Sequence, residues 1–176
     1  MKKLSIFLVL SLLVLLSSSA LAEDGSINFG ASYDLGGSLN WQSNTYGTSA
    51  GYTFDAEITM PYHDDMSLGL GAAYQLPRSL QNNANVQFNF IPFYGLLKFY
   101  TDNEGYLVGQ LGYNMLQGND DFDVSNDLNG GIYYGVGVGS HTEKMNAKIL
   151  YSVNNGTKEN YFLSYSKLSF SLSVGF

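Results

Sequence analysis

From residue 27 onward, apolar and polar residues take turns along this chain. The run 166–176 (SKLSFSLSVGF) shows the pattern best. Leu168, Phe170, Leu172, Val174 and Phe176 share one face, and Lys167, Ser169, Ser171, Ser173 and Gly175 share the other. A period of two marks a strand with one apolar and one polar face. A stretch of this length can cross a bilayer as a tilted strand.

The same alternation recurs upstream and predicts eight strands. The first covers 27–36, with Ile27, Phe29, Ala31, Tyr33 and Leu35 on its apolar side; 37–48 is polar and loop-like, with Leu39 and Trp41 able to extend the strand. The second covers 50–60 and the third 67–76, joined by a short turn at 61–65. After a loop at 77–85, the fourth covers 86–100 and opens with Val86, Phe88 and Phe90 opposed to Gln87 and Asn89. Pro92 falls inside it. A closed barrel has no free edge for a proline, so a bulge is expected there, with facing reversed beyond it and the direction of Lys98 left open. The fifth (106–116), sixth (130–140) and seventh (146–154) follow, and the eighth closes the chain. Connections after odd-numbered strands are the longer ones. Outer-membrane barrels show that asymmetry, with short turns inside and longer loops outside.

Two barrels fit such a pattern. A soluble lipid-binding barrel turns its apolar face inward, whereas a membrane barrel turns it to lipid. Collected across the strands, the polar face carries Asn28, Ser32, Asp34, Thr53, Asp55, Glu57, Gln75, Gln87, Asn89, Gln110, Asn114, Lys148, Ser152 and Lys167; the opposite face is almost free of charge. Composition points the same way. Only 13% of residues are charged, against about 25% in an average chain, beside 20 Gly, 14 Tyr and 11 Phe. A soluble barrel this small would spread many Lys and Glu over its outside. The reading is therefore an all-β, eight-stranded antiparallel up-and-down transmembrane barrel. Tyr33, Tyr74, Tyr113, Tyr151, Phe170 and Phe176 are candidates for its aromatic girdles.

The N-terminus has a different character. Met1-Lys2-Lys3, an apolar run over 4–16 and the small residues ending in Ala20-Leu21-Ala22 form a signal peptide, with cleavage expected after Ala22. Residues 1–22 are then the leader and 23–176 one barrel domain. The net charge of −7, with two of eight basic residues in the leader, disfavours a nucleic-acid partner. Without Cys there are no disulfides and no thiolate chemistry.

On these features the chain resembles the small eight-stranded outer-membrane barrels, typified by OmpX and the membrane domain of OmpA. The resemblance spans the whole chain after the leader and rests on strand count, loop asymmetry, alternation and the terminal Phe. It implies residence in the bacterial outer membrane among lipid and lipopolysaccharide, and insertion by the barrel-assembly machinery. Phe170, Leu172, Val174 and Phe176 would form the assembly signal, although Val174 stands where many members carry an aromatic residue.

Candidate chemistry is sparse. Eight strands leave a lumen that side chains just fill, and buried charges there should pair. Lys148 is expected to pair with Glu57 or Asp55, with Lys167 a further lumen cation, as structural plugs more than as a gate. Related small barrels that modify lipid A use a histidine on the outer side; here His63 and His141 fall in inner turns, where a solvated role is expected. No catalytic residue, cofactor or metal site is assigned. The acidic run Asp120, Asp121, Asp123 and Asp127 lacks the Gly and terminal Glu of a calcium loop. The expectation is a monomeric, non-enzymatic barrel with a structural or surface-contact role. The alternatives are a narrow channel for ions or small apolar molecules, and a soluble periplasmic lipid-binding barrel.

Overall fold

The computed structural model describes residues 25–101, 104–119, 121–122, 128–142, 144–158 and 161–176. The expected leader, 1–22, and the acidic residues Asp120, Asp123 and Asp127 lie outside these residues. Ten strands run in order: β1 (Ser26–Trp41), β2 (Asn44–Gly47), β3 (Gly51–His63), β4 (Met66–Gln75), β5 (Arg78–Leu80), β6 (Asn83–Tyr100), β7 (Gly105–Gly118), β8 (Asn129–His141), β9 (Met145–Lys158) and β10 (Tyr161–Gly175). Eight long strands pair antiparallel with their chain neighbours. The ring closes where β1 meets β10, from Asn28↔Gly175 to Trp41↔Leu163. The short strands β2 and β5 fold back on the outer ends of β1 and β6. Ring closure pairs both sides of each of the eight long strands over the belt, which is how barrels escape edge-to-edge aggregation.

The wall has an apolar outer belt about five outward positions tall. Phe29, Tyr33 and Leu35 of β1, Tyr52 and Phe54 of β3, Leu68 and Leu70 of β4, Leu107 and Leu111 of β7, Val136 and Val138 of β8, and Phe170, Leu172 and Val174 of β10 all project outward and exposed. The inward positions carry the polar groups: Asn28, Ser32, Asp34, Glu57, Gln110, Asn114, Lys148, Lys167 and Ser169 are buried, among apolar neighbours such as Leu96, Val108 and Leu150. This polarity is opposite to that of a soluble lipid-binding barrel, and it is the arrangement a lipid solvent demands.

Above the belt, at the loop end, the polarity inverts. The inward side chains there are Leu39, Phe88, Phe90, Leu116, Leu163 and Tyr165, and Phe122 drops onto them from the loop after β7; together they form a closed apolar core. The outward and rim residues at this end include the exposed polar Asn40, Asn44, Thr45 and Gln87, beside the exposed aromatic Tyr161 and Phe162 at the start of β10. Phe88 and Phe90 therefore do not join the lipid face, contrary to the expectation from alternation. Gln87 and Asn89 are the outward pair. The inversion is what a wall rising past the membrane into water calls for, since its inside is then the dry side.

Pro92 does not reverse facing. The β6–β7 ladder runs unbroken from Phe88↔Gly118 to Tyr100↔Tyr106, with Pro92 opposite Asn114. The irregularity falls on the other neighbour. The β4–β6 ladder stops at Ala72↔Phe93 and pairing resumes with β5 at Arg78↔Phe88. Pro92, which has no N–H to donate, sits in that interval. Lys98 consequently points inward and is buried.

Candidate functional site

The lumen holds two charged clusters at different heights. In the lower one, toward the turn end, Glu57 of β3 is the hub. The Lys148 Nζ donates to its Oε1 at 2.6 Å. The Tyr94 hydroxyl and the Gln110 amide donate to the same oxygen at 3.1 Å each. Lys98 lies 3.5 Å from Oε2. The Tyr133 hydroxyl donates to the Gln110 carbonyl and fixes that amide's orientation. Inward glycines make this possible, since a Cβ at Gly71 would occupy the space of the Tyr94 ring, and one at Gly139 that of Tyr106.

In the upper cluster the hub is Asp34 of β1. Its Oδ2 accepts from Arg78 at 2.5 Å, from Lys167 at 2.7 Å and from Thr53 at 2.7 Å; its Oδ1 accepts from Ser169 at 2.6 Å. Arg78 enters from the start of β5, over the rim, and also donates to the Leu76 and Tyr52 carbonyls. Gly51 leaves room for its guanidinium. A buried carboxylate with several charge-assisted donors is the arrangement that offsets desolvation.

The structure thus brings Lys148 to Glu57 but takes Lys167 to Asp34, away from the acidic pair on β3. Asp55 makes no ion pair with any described residue, and its Oδ2 is buried without a hydrogen bond. Arg78, Lys98 and the hub role of Asp34 were not singled out from sequence. Asp34 sat on the predicted polar face, but nothing in a periodicity tells which of many polar residues gathers cations. Arg78 lies in a predicted loop, and no local signal aims it inward. Arg78, Lys98, Lys148, Lys158 and Lys167 are all buried, whereas Lys144, by the turn between β8 and β9, is exposed.

Each end of the lumen is covered. The loop-end apolar core lies above the Asp34 cluster, with Lys158 over the rings of Trp41 (4.1 Å) and Phe122 (4.6 Å). At the turn end Tyr106 is buried below Lys98, and Tyr100 and His141 stack beside it. His141 ends β8 rather than lying in a turn and is half-exposed; it packs edge-on against Tyr100 at 4.9 Å between ring centres, and its Nδ1 lies 3.0 Å from the Glu104 carbonyl. His63 is exposed beside Asp65. Between the two clusters lies a cavity of about 30 Å³, lined in part by Asp55, Gln75, Lys148, Ser152, Lys167 and Ser171.

No protein-family model matches the sequence, and neither does any curated protein. Solved structures do match. The chain is similar to Ail, the attachment invasion locus protein of Yersinia pestis, at a TM-score of 0.56 and 10% identity over 86% of this chain and 99% of that one. The chain has the small outer-membrane β-barrel fold. Neisserial surface protein A matches at a TM-score of 0.53 and 14% identity, covering 86% of this chain and 97% of that one. The outer membrane protein AlkL, determined in lipid bilayers, matches at 0.50 and 15% identity, covering 88% and 90%. At these identities the likeness concerns the fold, and function has to be argued from the site. The expected assembly residues Phe170, Leu172, Val174 and Phe176 all stand exposed on the outer wall. The Phe176 ring packs edge-on against Phe29 at 6.3 Å.

Proposed function

We propose that the protein is a non-enzymatic barrel of the bacterial outer membrane whose task is to hold a rigid, closed surface at its loop end, for contact or for upkeep of the envelope. One observation carries this reading: the lumen is occupied from end to end. Two ion-pair clusters, an aromatic cover at the turn end and an apolar core at the loop end occupy the barrel, with a cavity of about 30 Å³ between the clusters and a larger, more open one that Ser32, Lys148 and Ser171 help to line. An ion crossing this column would have to part buried ion pairs and pass a dry aromatic plug, each costing several kcal/mol. The loop-end core has the reverse effect on the surface. It supports the strand ends above the membrane, so that a partner would meet a preformed face. Lipid and lipopolysaccharide around the belt, and the assembly machinery that would read the last strand, are the partners this reading implies.

Planar-bilayer recording of purified protein tests it. The expected result is a silent membrane. Steady unitary steps that vanish in Glu57→Ala or Lys148→Ala would replace the reading with transport through the lumen.

A further inference from the structure

The outer wall of the barrel is not evenly covered. The larger cavity, of about 720 Å³, is an open groove on the outside. Its lining shows which side it is on. From each of β1, β8, β9 and β10 it takes two successive outward residues and the one between them, such as Ala31 and Tyr33 with Ser32, or Ala147 and Ile149 with Lys148. The side chains of Ser32 and Lys148 turn into the lumen, where they reach the Thr53 carbonyl and Glu57. These inward residues give the groove their main chain, as its floor.

A row that includes short side chains makes the hollow. Across the strands Ala31 pairs with Leu172, Leu172 with Ala147, and Ala147 with Ser140. The next row toward the loop end is bulky and apolar: Tyr33, Phe170, Ile149 and Val138. Tyr52 of β3 closes that side, its ring centre 5.5 Å from that of Tyr33. From β3 to β8 the groove crosses four inter-strand steps of about 4.8 Å, roughly 19 Å in all. It also slopes. Ala31 lies well inside β1, whereas Ser140 is followed directly by His141, the last residue of β8. The groove therefore descends to the turn between β8 and β9.

That turn carries Lys144, and the distribution of charge makes this a second, independent observation. Arg78, Lys98, Lys148, Lys158 and Lys167 are buried, so Lys144 is the one exposed basic side chain among the described residues. The other turns at this end present acid, with Asp64, Asp65 and Glu104 all exposed. An anion attracted to this end of the barrel is thus directed to the foot of the groove.

We propose that the groove holds one phospholipid from the leaflet at the turn end, with an acyl chain along the row from Ser140 to Ala31 and its phosphate at Lys144. The proposal rests on the outer-membrane reading above, which sets the turns on the inner side of that membrane. A free anion gains nothing from the groove, and a hydrocarbon gains nothing from the lysine; a phospholipid uses both. The length suits a chain, since one leaflet's half of the ~30 Å hydrocarbon core is about 15 Å. The volume falls in the range of roughly 300–1,000 Å³ seen for ligand sites. This lipid differs from the fluid belt around the rest of the wall. The short side chains let its chain sink below the bulky row, where it gains dispersion contacts from the floor and the flank together.

The test is native mass spectrometry of the full folded barrel, released from micelles carrying added phosphatidylglycerol. One lipid per barrel should survive removal of the detergent. Ala147→Phe, which fills the groove, should abolish its retention. Ala72→Phe, on β4 where the groove does not reach, should leave it unchanged. Lys144→Gln should cut retention roughly fivefold, the effect of one lysine near an anionic lipid surface. Folding of each variant is checked by heat-dependent gel mobility. No retained lipid, or equal retention in Ala147→Phe and Ala72→Phe, would overturn the proposal. So would preference for lipid A when both lipids are offered, since that would seat a lipid of the opposite leaflet. Recovery of the folded barrel outside the outer-membrane fraction would instead remove the reading on which the proposal rests, and the leaflet assignment with it.

Discussion

The belt and the loop end are built from the same strands with the same alternation, yet they are inside-out relative to each other. On β6, Lys98, Leu96 and Tyr94 face a charged lumen, and Phe90 and Phe88, farther along the same inward face, enter an apolar core. On β10, Lys167 and Ser169 sit in the Asp34 cluster, while Tyr165 and Leu163 sit in the plug. The backbone does not change. The solvent outside it does. In the belt the surroundings are apolar, so burial inside the barrel is the cheap place for polar groups. Above it the surroundings are water, and the ordinary rule of a globular core returns. The molecule is a membrane protein whose top is folded like a soluble one.

The largest effect should come from breaking a hub in the belt. Glu57→Ala removes the ion-pair partner of the buried Lys148 and Lys98 and should cost ~3–5 kcal/mol, read as a lower denaturant midpoint in micelles. A cost near zero would mean water reaches this layer freely. Next comes the plug. Phe90→Ala should cost about 3 kcal/mol or slightly more, because Phe88 meets its ring edge-on at 6.0 Å and Tyr165 stacks on it at 5.9 Å. If Phe90 faced lipid instead, the loss would be much smaller. Third is a charge on the outside of the belt: Leu111→Arg should destabilise by ~2–4 kcal/mol. Its counterpart above the belt, Gln87→Arg, should change stability by less than ~0.5 kcal/mol. Those two outward substitutions, compared in the same assay, locate the edge of the membrane on the wall.

Alternation was enough to read the barrel and its strand count, and the scarcity of charge on the apolar face was what turned Lys148, Glu57, Asp55 and Lys167 inward. A period of two states which residues share a face and carries no information about what that face meets. That is why Phe88 and Phe90 were assigned outward: they were grouped with the lipid-facing set on hydrophobicity, although the unbroken β6–β7 register puts them on the same face as Lys98. Pro92 misled for a related reason. It predicts a bulge with facing reversed, whereas the structure leaves a gap in pairing between β4 and β5 and keeps the β6–β7 register unbroken. Arg78 was out of reach because its role depends on a loop folding over the rim onto Asp34, a contact between residues 44 positions apart. The choice of Asp34 over Asp55 as partner for Lys167 depends on stagger between β1 and β10, where the register slips between Asp34 and Gly37.

Trp41 offers the most direct test of the inversion, since it is the single tryptophan of the chain and lies against the loop-end core. Its fluorescence should be measured in bilayers of lipids brominated at successive depths along the acyl chain. The account predicts no quenching of Trp41 at any depth, and strong quenching of a tryptophan introduced at Phe170 in a Trp41→Phe background. Quenching of Trp41 by bromine anywhere in the acyl chains would place the apolar core inside the membrane and contradict the account.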